Sequence, residues 1–418
     1  MQKQFNHLEF PIAAVREAFP AIAERTGFVF FDNAAGTQAP QLVLETVANH
    51  LLHRNVQRGG RYTQSREVDG AIAAARESVA LFLNAKAPEE VAFGLNATSF
   101  IRLVSLAIGQ SLGERREIIV TDLDHEANVA TWLALEREGA SFRWWKFRED
   151  GLLHPPDLNN LLSPRTRLVA CTLASNAIGS ITDVAEVSRL AHAAGAQVFI
   201  DAVHYGPHGL FDVQAWGCDY LVCSGYKIFA PHMGFLWGSM DALNALPTFR
   251  EDFIPDAPPW KFEAGTYTYE NVAGMDAALL YLEWLGRLVQ PQSLSRRDAI
   301  VNAMKAITSY EQSLSREMFA VLGAVPGVRV YGVAEVERLL FRTPTFSFTL
   351  DGVEPARVSE QLAEAGFGVR DGHMYSPRLI RRLGLSQDSG TVRASLVHYN
   401  TVEEVRRFGA AVRSLSSH

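Results

Sequence analysis

The period of the hydrophobic pattern changes repeatedly along this chain. Short apolar runs at residues 28–31, 91–93, 117–121, 167–172, 197–200, 220–223 and 235–237 predict strands bounded by turn residues. Between them, apolar residues return at helical spacing and predict helices over 12–25, 41–54, 69–83, 96–109 and 183–194. Strands alternating with helices predict a largely parallel sheet. Past residue 270 the pattern changes. Long helical stretches at 271–288 and 299–321 are separated by Gln290-Pro291-Gln292, and strands follow at 328–330, at 345–350 and from Val392, with a helix over 355–365. The fold expected is therefore α/β, with a large domain over 25–285. A small α+β domain is expected from 286–418 together with the N-terminal helix in 1–24.

Composition changes this picture little. The chain has 418 residues, 48% hydrophobic and 20% charged, which suits an ordinary globular protein with a substantial core. A net charge of −7 argues against a nucleic-acid partner, because phosphate binding needs a basic surface. No apolar run is long enough to cross a bilayer, and residues 1–10 lack a signal-peptide layout, so a cytoplasmic location is expected. Cys171, Cys218 and Cys223 have neither metal spacing nor a disulfide framework. His204 and His208 are spaced like metal ligands but lack a third, and no metal is expected.

Chemistry gathers where strands end. Asp201 closes the 197–200 run, and Lys227 follows the 220–223 run within Ser224-Gly225-Tyr226-Lys227. An ammonium between two apolar strands is costly to bury unless it is paired or uncharged. A surface loop would explain the lysine alone. It would not explain an acid at the matching edge, where open α/β sheets hold ligands. Pyridoxal phosphate needs this pair: a lysine to bond its aldehyde, and a carboxylate to keep its pyridine nitrogen protonated.

An aspartate followed 26 positions later by the lysine of Ser-Gly-Tyr-Lys resembles the fold-type I pyridoxal phosphate enzymes. Within them it resembles the class V aminotransferase family, which includes the cysteine desulfurases. The resemblance implies a mainly parallel seven-stranded sheet, pyridoxal 5'-phosphate as cofactor and a homodimer acting on a small amino-acid substrate. Lys227, Asp201 and His125 then become the catalytic residues, with His125 stacked on the cofactor ring. Ala97 and Thr98 take the phosphate, at a helix start whose free N–H groups also suit an anion. Asn176 and His204 fall near the ring oxygen, Ser224 and Tyr226 join the cofactor contacts, and Thr266 reaches across from the partner subunit. Arg393 of Arg-Ala-Ser-Leu-Val-His-Tyr-Asn implies a bidentate hold on the substrate α-carboxylate. Arg370, Arg58, Ala35 and Tyr375 complete the substrate side.

Two departures from the family pattern bear on the reaction. Gln57 stands where a histidine commonly precedes Arg-Gly, and Tyr375 stands where the desulfurases carry their persulfide-forming cysteine. A phenol with pKa near ~10 cannot take up sulfur as a thiolate does. The expectation is a C–S lyase acting at the β-carbon of a cysteine-like substrate, without an enzyme persulfide. A class V aminotransferase and an epimerase share its first steps. A non-catalytic sensor that binds the same cofactor is the alternative of another kind.

Overall fold

The computed structural model describes residues 10–24 and 27–416. Residues 1–9 of the 1–10 stretch read above as lacking a signal-peptide layout, and Arg25, the last residue of the predicted first helix, with Thr26 after it, lie outside the described residues. That helix is in fact two, Ile12–Glu17 and Pro20–Ala23. Pro20 opens the second, where its missing N–H costs nothing. After β1 (Val29–Phe30), the main sheet is built from β2 (Val91–Gly94), β3 (Glu117–Thr121), β4 (Ser141–Trp145), β5 (Thr166–Thr172), β6 (Gln197–Asp201), β7 (Tyr220–Ser224) and β8 (Gly234–Gly238). Its order is β2-β8-β7-β6-β5-β3-β4; β8 runs antiparallel to both neighbours and every other pair is parallel.

Alternation along each strand feeds two cores. Val198, Ile200, Leu221 and Cys223 face one cluster, whereas Phe199, Tyr220 and Val222 face the other. Helices Thr63–Leu83, Val184–Ala193 and Tyr269–Val289 cover the first face, and Ala97–Gly109 and Ala127–Leu133 the second. The edge strand β4 escaped the sequence reading because its Ser-Phe-Arg-Trp-Trp pattern is only half-buried. Helix Thr63–Leu83 starts six residues before the predicted 69, through a polar turn that hides its helical period.

A second, antiparallel sheet follows. It is built from β9 (Val328–Tyr331), β10 (Thr345–Leu350), β12 (Arg370–Gly372) and β13 (Thr391–Ser395) in the order β12-β13-β10-β9, while β11 (Phe367–Gly368) pairs with β1 in parallel. Helix Arg296–Gly323 joins the two bodies. Ile300, Ala303 and Met304 lie in the main core, and Leu314, Met318 and Leu322 lie under the second sheet.

Strand order reverses between β3 and β5, which marks the switch point where such sheets open a crevice at their carboxyl ends. His125 lies four residues past β3 and Asn176 four past β5; Asp201 ends β6, and Lys227 lies three past β7.

Candidate active site

A cavity of about 690 Å³ opens over these strand ends. Ala35, Ala97, Thr98, His125, Asn176, Asp201, His204, Ser224, Tyr226, Lys227, Arg370, Tyr375 and Arg393 line it; Arg58 and Thr266 do not. On the side of the main sheet the charges are desolvated. Burial first, and then the Arg393 charge, lower the Lys227 pKa to about 7. Its Nζ donates to the Ala34 carbonyl and sits 4.9 Å from the centroid of the Tyr226 ring. Burial raises Asp201 to about 6, although the Val203 N–H donates to its Oδ1 at 3.0 Å and Lys227 favours its ionised form. Burial also holds His125 near 4, so its ring is neutral at pH 7. Because the Ala127 N–H donates to Nδ1 at 3.1 Å, the ring proton sits on Nε2.

The helix opening at Ala97 is capped by Asn96, whose side chain accepts from the Ser99 N–H at 2.9 Å. Ser224 Oγ accepts from the Ala97 N–H at 3.2 Å and ties this helix start to β7. Gly234 makes the approach possible: a Cβ there would lie 2.5 Å from the Asn96 carbonyl carbon. His204 is buried, with Nε2 in hydrogen-bond contact with the Thr345 and Thr343 hydroxyls at 2.9 and 3.2 Å, while His208 pairs with Glu311 at 2.9 Å. Among the described residues no group of three or more His, Cys, Asp or Glu is placed to hold a metal ion.

On the other side the charges are paired. Asp32 Oδ1 accepts from Arg393 Nη2 at 3.0 Å, and Asp32 Oδ2 pairs with Arg370 Nη2 at 2.8 Å. Arg393 is buried, and its Nη1 also donates to the Asn176 carbonyl at 2.8 Å. Asp32 carries no signal of its own in the sequence. Nothing local in the sequence announces a partner 361 residues away. Asp124 was likewise passed over. It is buried between Thr121 and Asn128 side chains, and desolvation raises it to about 7.

The turn carrying Tyr375 is held from several directions. Met374 and Tyr375 both have positive φ, 52° and 58°, which side-chain-bearing residues adopt at a cost. Asn176 Nδ2 donates to the Met374 carbonyl at 2.6 Å, and Asn176 Oδ1 accepts from Ser376 Oγ at 3.1 Å. The Glu126 N–H donates to the Tyr375 carbonyl at 2.8 Å, and the Glu126 carboxylate pairs with Arg378 at 3.1 Å. Much of the Asn176 amide, expected at a cofactor oxygen, is thus spent on fastening this turn. The Tyr375 ring lies 5.7 Å from the His125 ring, centroid to centroid.

Arg58 and Thr266 meet elsewhere. Gln57 Nε2 donates to Thr266 Oγ1 at 2.9 Å, and Arg58 lies 3.6 Å from Asp69 and 3.8 Å from Glu263. The 57–62 and 263–269 loops therefore knit together outside this cavity.

The cavity fits pyridoxal phosphate. A desolvated lysine, a buried acid sharing its field and a capped helix start surround one space. That arrangement defines an enzyme built around an aldehyde cofactor. The aminotransferase class-V family matches residues 29–408. A cysteine desulfurase of Synechococcus elongatus is 36% identical over 98% of this chain, which spans 64% of that relative's length. An aminotransferase-like protein, FGM3 of Gibberella zeae, is 34% identical over 95% of this chain and 96% of its own. Among solved structures, the apo cysteine desulfurase of Thermococcus onnurineus superposes with a TM-score of 0.87 at 25% identity, covering 99% of this chain and all of that one. The cysteine desulfurase CsdA of Escherichia coli, an S-sulfonic acid form, gives 0.82 at 28%, covering 98% of this chain and 99% of its own. The chain belongs to the class V aminotransferase family, in its cysteine desulfurase-like branch. It is a pyridoxal 5'-phosphate-dependent enzyme.

Proposed function

We propose that this enzyme cleaves the Cβ–S bond of a cysteine-like amino acid by elimination and forms no persulfide of its own. The observation that carries this reading is the turn at 373–376, where a fastened tyrosine occupies the place that the resemblance gives to the persulfide cysteine. None of the three cysteines replaces it. All are buried free thiols in or beside β5 and β7, and burial pushes each thiol pKa up. A thiol that stays protonated and enclosed does not attack substrate sulfur.

The bound cofactor supplies an electron sink at the substrate's Cα. The chain's own residues do the rest. Arg393, steadied by Asp32 and the Asn176 carbonyl, orients the substrate carboxylate. Asp201 keeps a proton at the pyridine nitrogen. Lys227, titrating near 7, takes the proton from Cα, and sulfur leaves with the Cβ–S electron pair. His125 would give the cofactor ring a flat neutral neighbour, and Ala97, Thr98 and Ser224 would hold the phosphate end. Tyr375 walls the substrate side beside Ala35. We also infer a homodimer in which the 57–62 and 263–269 loops, with Arg58 and Thr266, complete the partner's cavity. The full-length match to an aminotransferase-like protein favours transamination as the second reading.

The test is to incubate holoenzyme with L-cysteine and with S-alkyl cysteines, then alkylate and weigh the intact protein. Pyruvate, ammonia and released thiol with no added sulfur are expected. A stoichiometric sulfur adduct formed at turnover rate overturns the proposal, and a pyridoxamine product points to the transaminase.

A further inference from the structure

Two arginines face the cavity where a substrate would enter, yet one carboxylate engages both. Arg370 donates to Asp32 through Nε at 3.0 Å as well as through Nη2, and Arg393 donates through Nη2. Asp32 itself does not line the cavity. Arg393 keeps a buried Nε with no partner, a donor left for a ligand. Of the other ionisable groups in the wall, Lys227 and Asp201 engage the cofactor on the reading above, Arg102 lies in the second turn of the helix that takes the phosphate, and His232 stacks on the Tyr226 ring. His125 and His204 are held neutral by burial. Asp371, beside Arg370 on β12, brings a further negative charge to its outer side. Asp371 is exposed and does not line the cavity, so the substrate side itself carries two arginine cations and the one carboxylate that bonds both, a net charge of +1.

We propose that Asp32 sets the substrate class: it leaves the pocket one positive charge, matched by an α-carboxylate alone, so the enzyme takes amino acids with uncharged side chains. Aspartate, glutamate and cysteine sulfinate would bring a second anion into a pocket already neutralised by the first. At separations of a few ångströms such like-charge contacts change affinity by an order of magnitude or more. The inference rests on the cavity being the amino-acid site. Within the lyase reading it favours thioether or sulfoxide substrates over sulfinates. Asp32 is a positioning residue, acting through the two arginines.

Butyrate and succinate have the same length and differ by one carboxylate. Titrated into holoenzyme and followed by cofactor absorbance, butyrate should bind at least as tightly as succinate. Asp32→Asn keeps the shape and an acceptor oxygen but raises the net charge to +2, and should move the affinity ratio at least tenfold towards succinate. The double variant Asp32→Asn with Arg370→Gln restores +1 and should return the ratio to the native value. An unchanged ratio in Asp32→Asn, or a native preference for succinate of tenfold or more, overturns the proposal. If Asp32→Asn does not fold, Arg370→Gln alone decides: it should move the ratio further against succinate, and a move the other way refutes the idea. Neither competitor reacts, so these ratios stand whether product analysis finds a lyase or an aminotransferase.

Discussion

The two walls of the cavity handle charge in opposite ways. Along the main sheet, Lys227, Asp201 and His125 are desolvated and only weakly compensated, and all three titrate far from their usual ranges. Along the second sheet, Arg370 and Arg393 are paired with Asp32, and the groups answer one another within the protein. Uncompensated charge in a cleft awaits a ligand that supplies the missing partner. Paired charge instead tunes how much of a ligand's charge is welcome. The first wall is therefore read as made for a resident cofactor, the second for a substrate that comes and goes.

Asp201→Asn should break the contrast most severely. Turnover should fall about a thousandfold, because the amide cannot balance a protonated pyridine nitrogen. The cofactor-free protein should meanwhile become more stable at pH 8. Folded Asp201 titrates at about 6 against 3.8 when unperturbed, so its contribution is complete below about pH 4 and lost as pH rises through 6. By linkage the variant should gain about 2–3 kcal/mol at pH 8 and nothing at pH 4. Denaturant titrations at the two pH values measure this, and equal stability at pH 8 would contradict the assignment.

On the opposite wall, Arg393→Ala should raise KM for the amino acid about a hundredfold, since it strands the substrate carboxylate and leaves Asp32 with Arg370 alone. Steady-state kinetics reporting a native KM would remove Arg393 from the substrate site. A finer test addresses Lys227. Cofactor uptake by the apoenzyme should rise with pH and level off above about 7, because the neutral amine dominates there. Uptake still climbing towards pH 10 would mean an ordinary, solvated lysine. The smallest effect belongs to the junction between the walls: Asn176→Ala should raise KM by about two- to fivefold, the loss of roughly one hydrogen bond's worth of order in the 373–376 turn. Its signature should be faster amide exchange at Met374 and Tyr375, and unaltered exchange would show that other ties suffice.

The same contrast explains what the sequence could reveal. Asp201 and Lys227 were legible because each follows an apolar run at a strand end, His125 and Asn176 only through the family resemblance, and all four line one cavity. Asp32 was not legible as a charge partner, because its arginines lie 338 and 361 residues away in strands whose pairing only the fold discloses. Asn176 shows the limit in another form. Its position was foreseen, but not its bonds to Met374 and Ser376, since a backbone turn with two positive φ values leaves no trace in hydrophobic periodicity. Edge strand β4 was missed for an energetic reason: a half-buried strand needs no clean alternation.

Helix Arg296–Gly323 has a consequence for how the molecule comes apart. Its 28 residues span about 42 Å. The first half is buried in the core of the large sheet, and the second half is buried beneath the sheet that bears the arginines. Fraying either half exposes apolar surface that the other body cannot hide, so neither body can melt while the other keeps this rod folded. Heating should accordingly produce a single calorimetric peak rather than two, with Arg370, Arg393 and Lys227 losing their places in the same event.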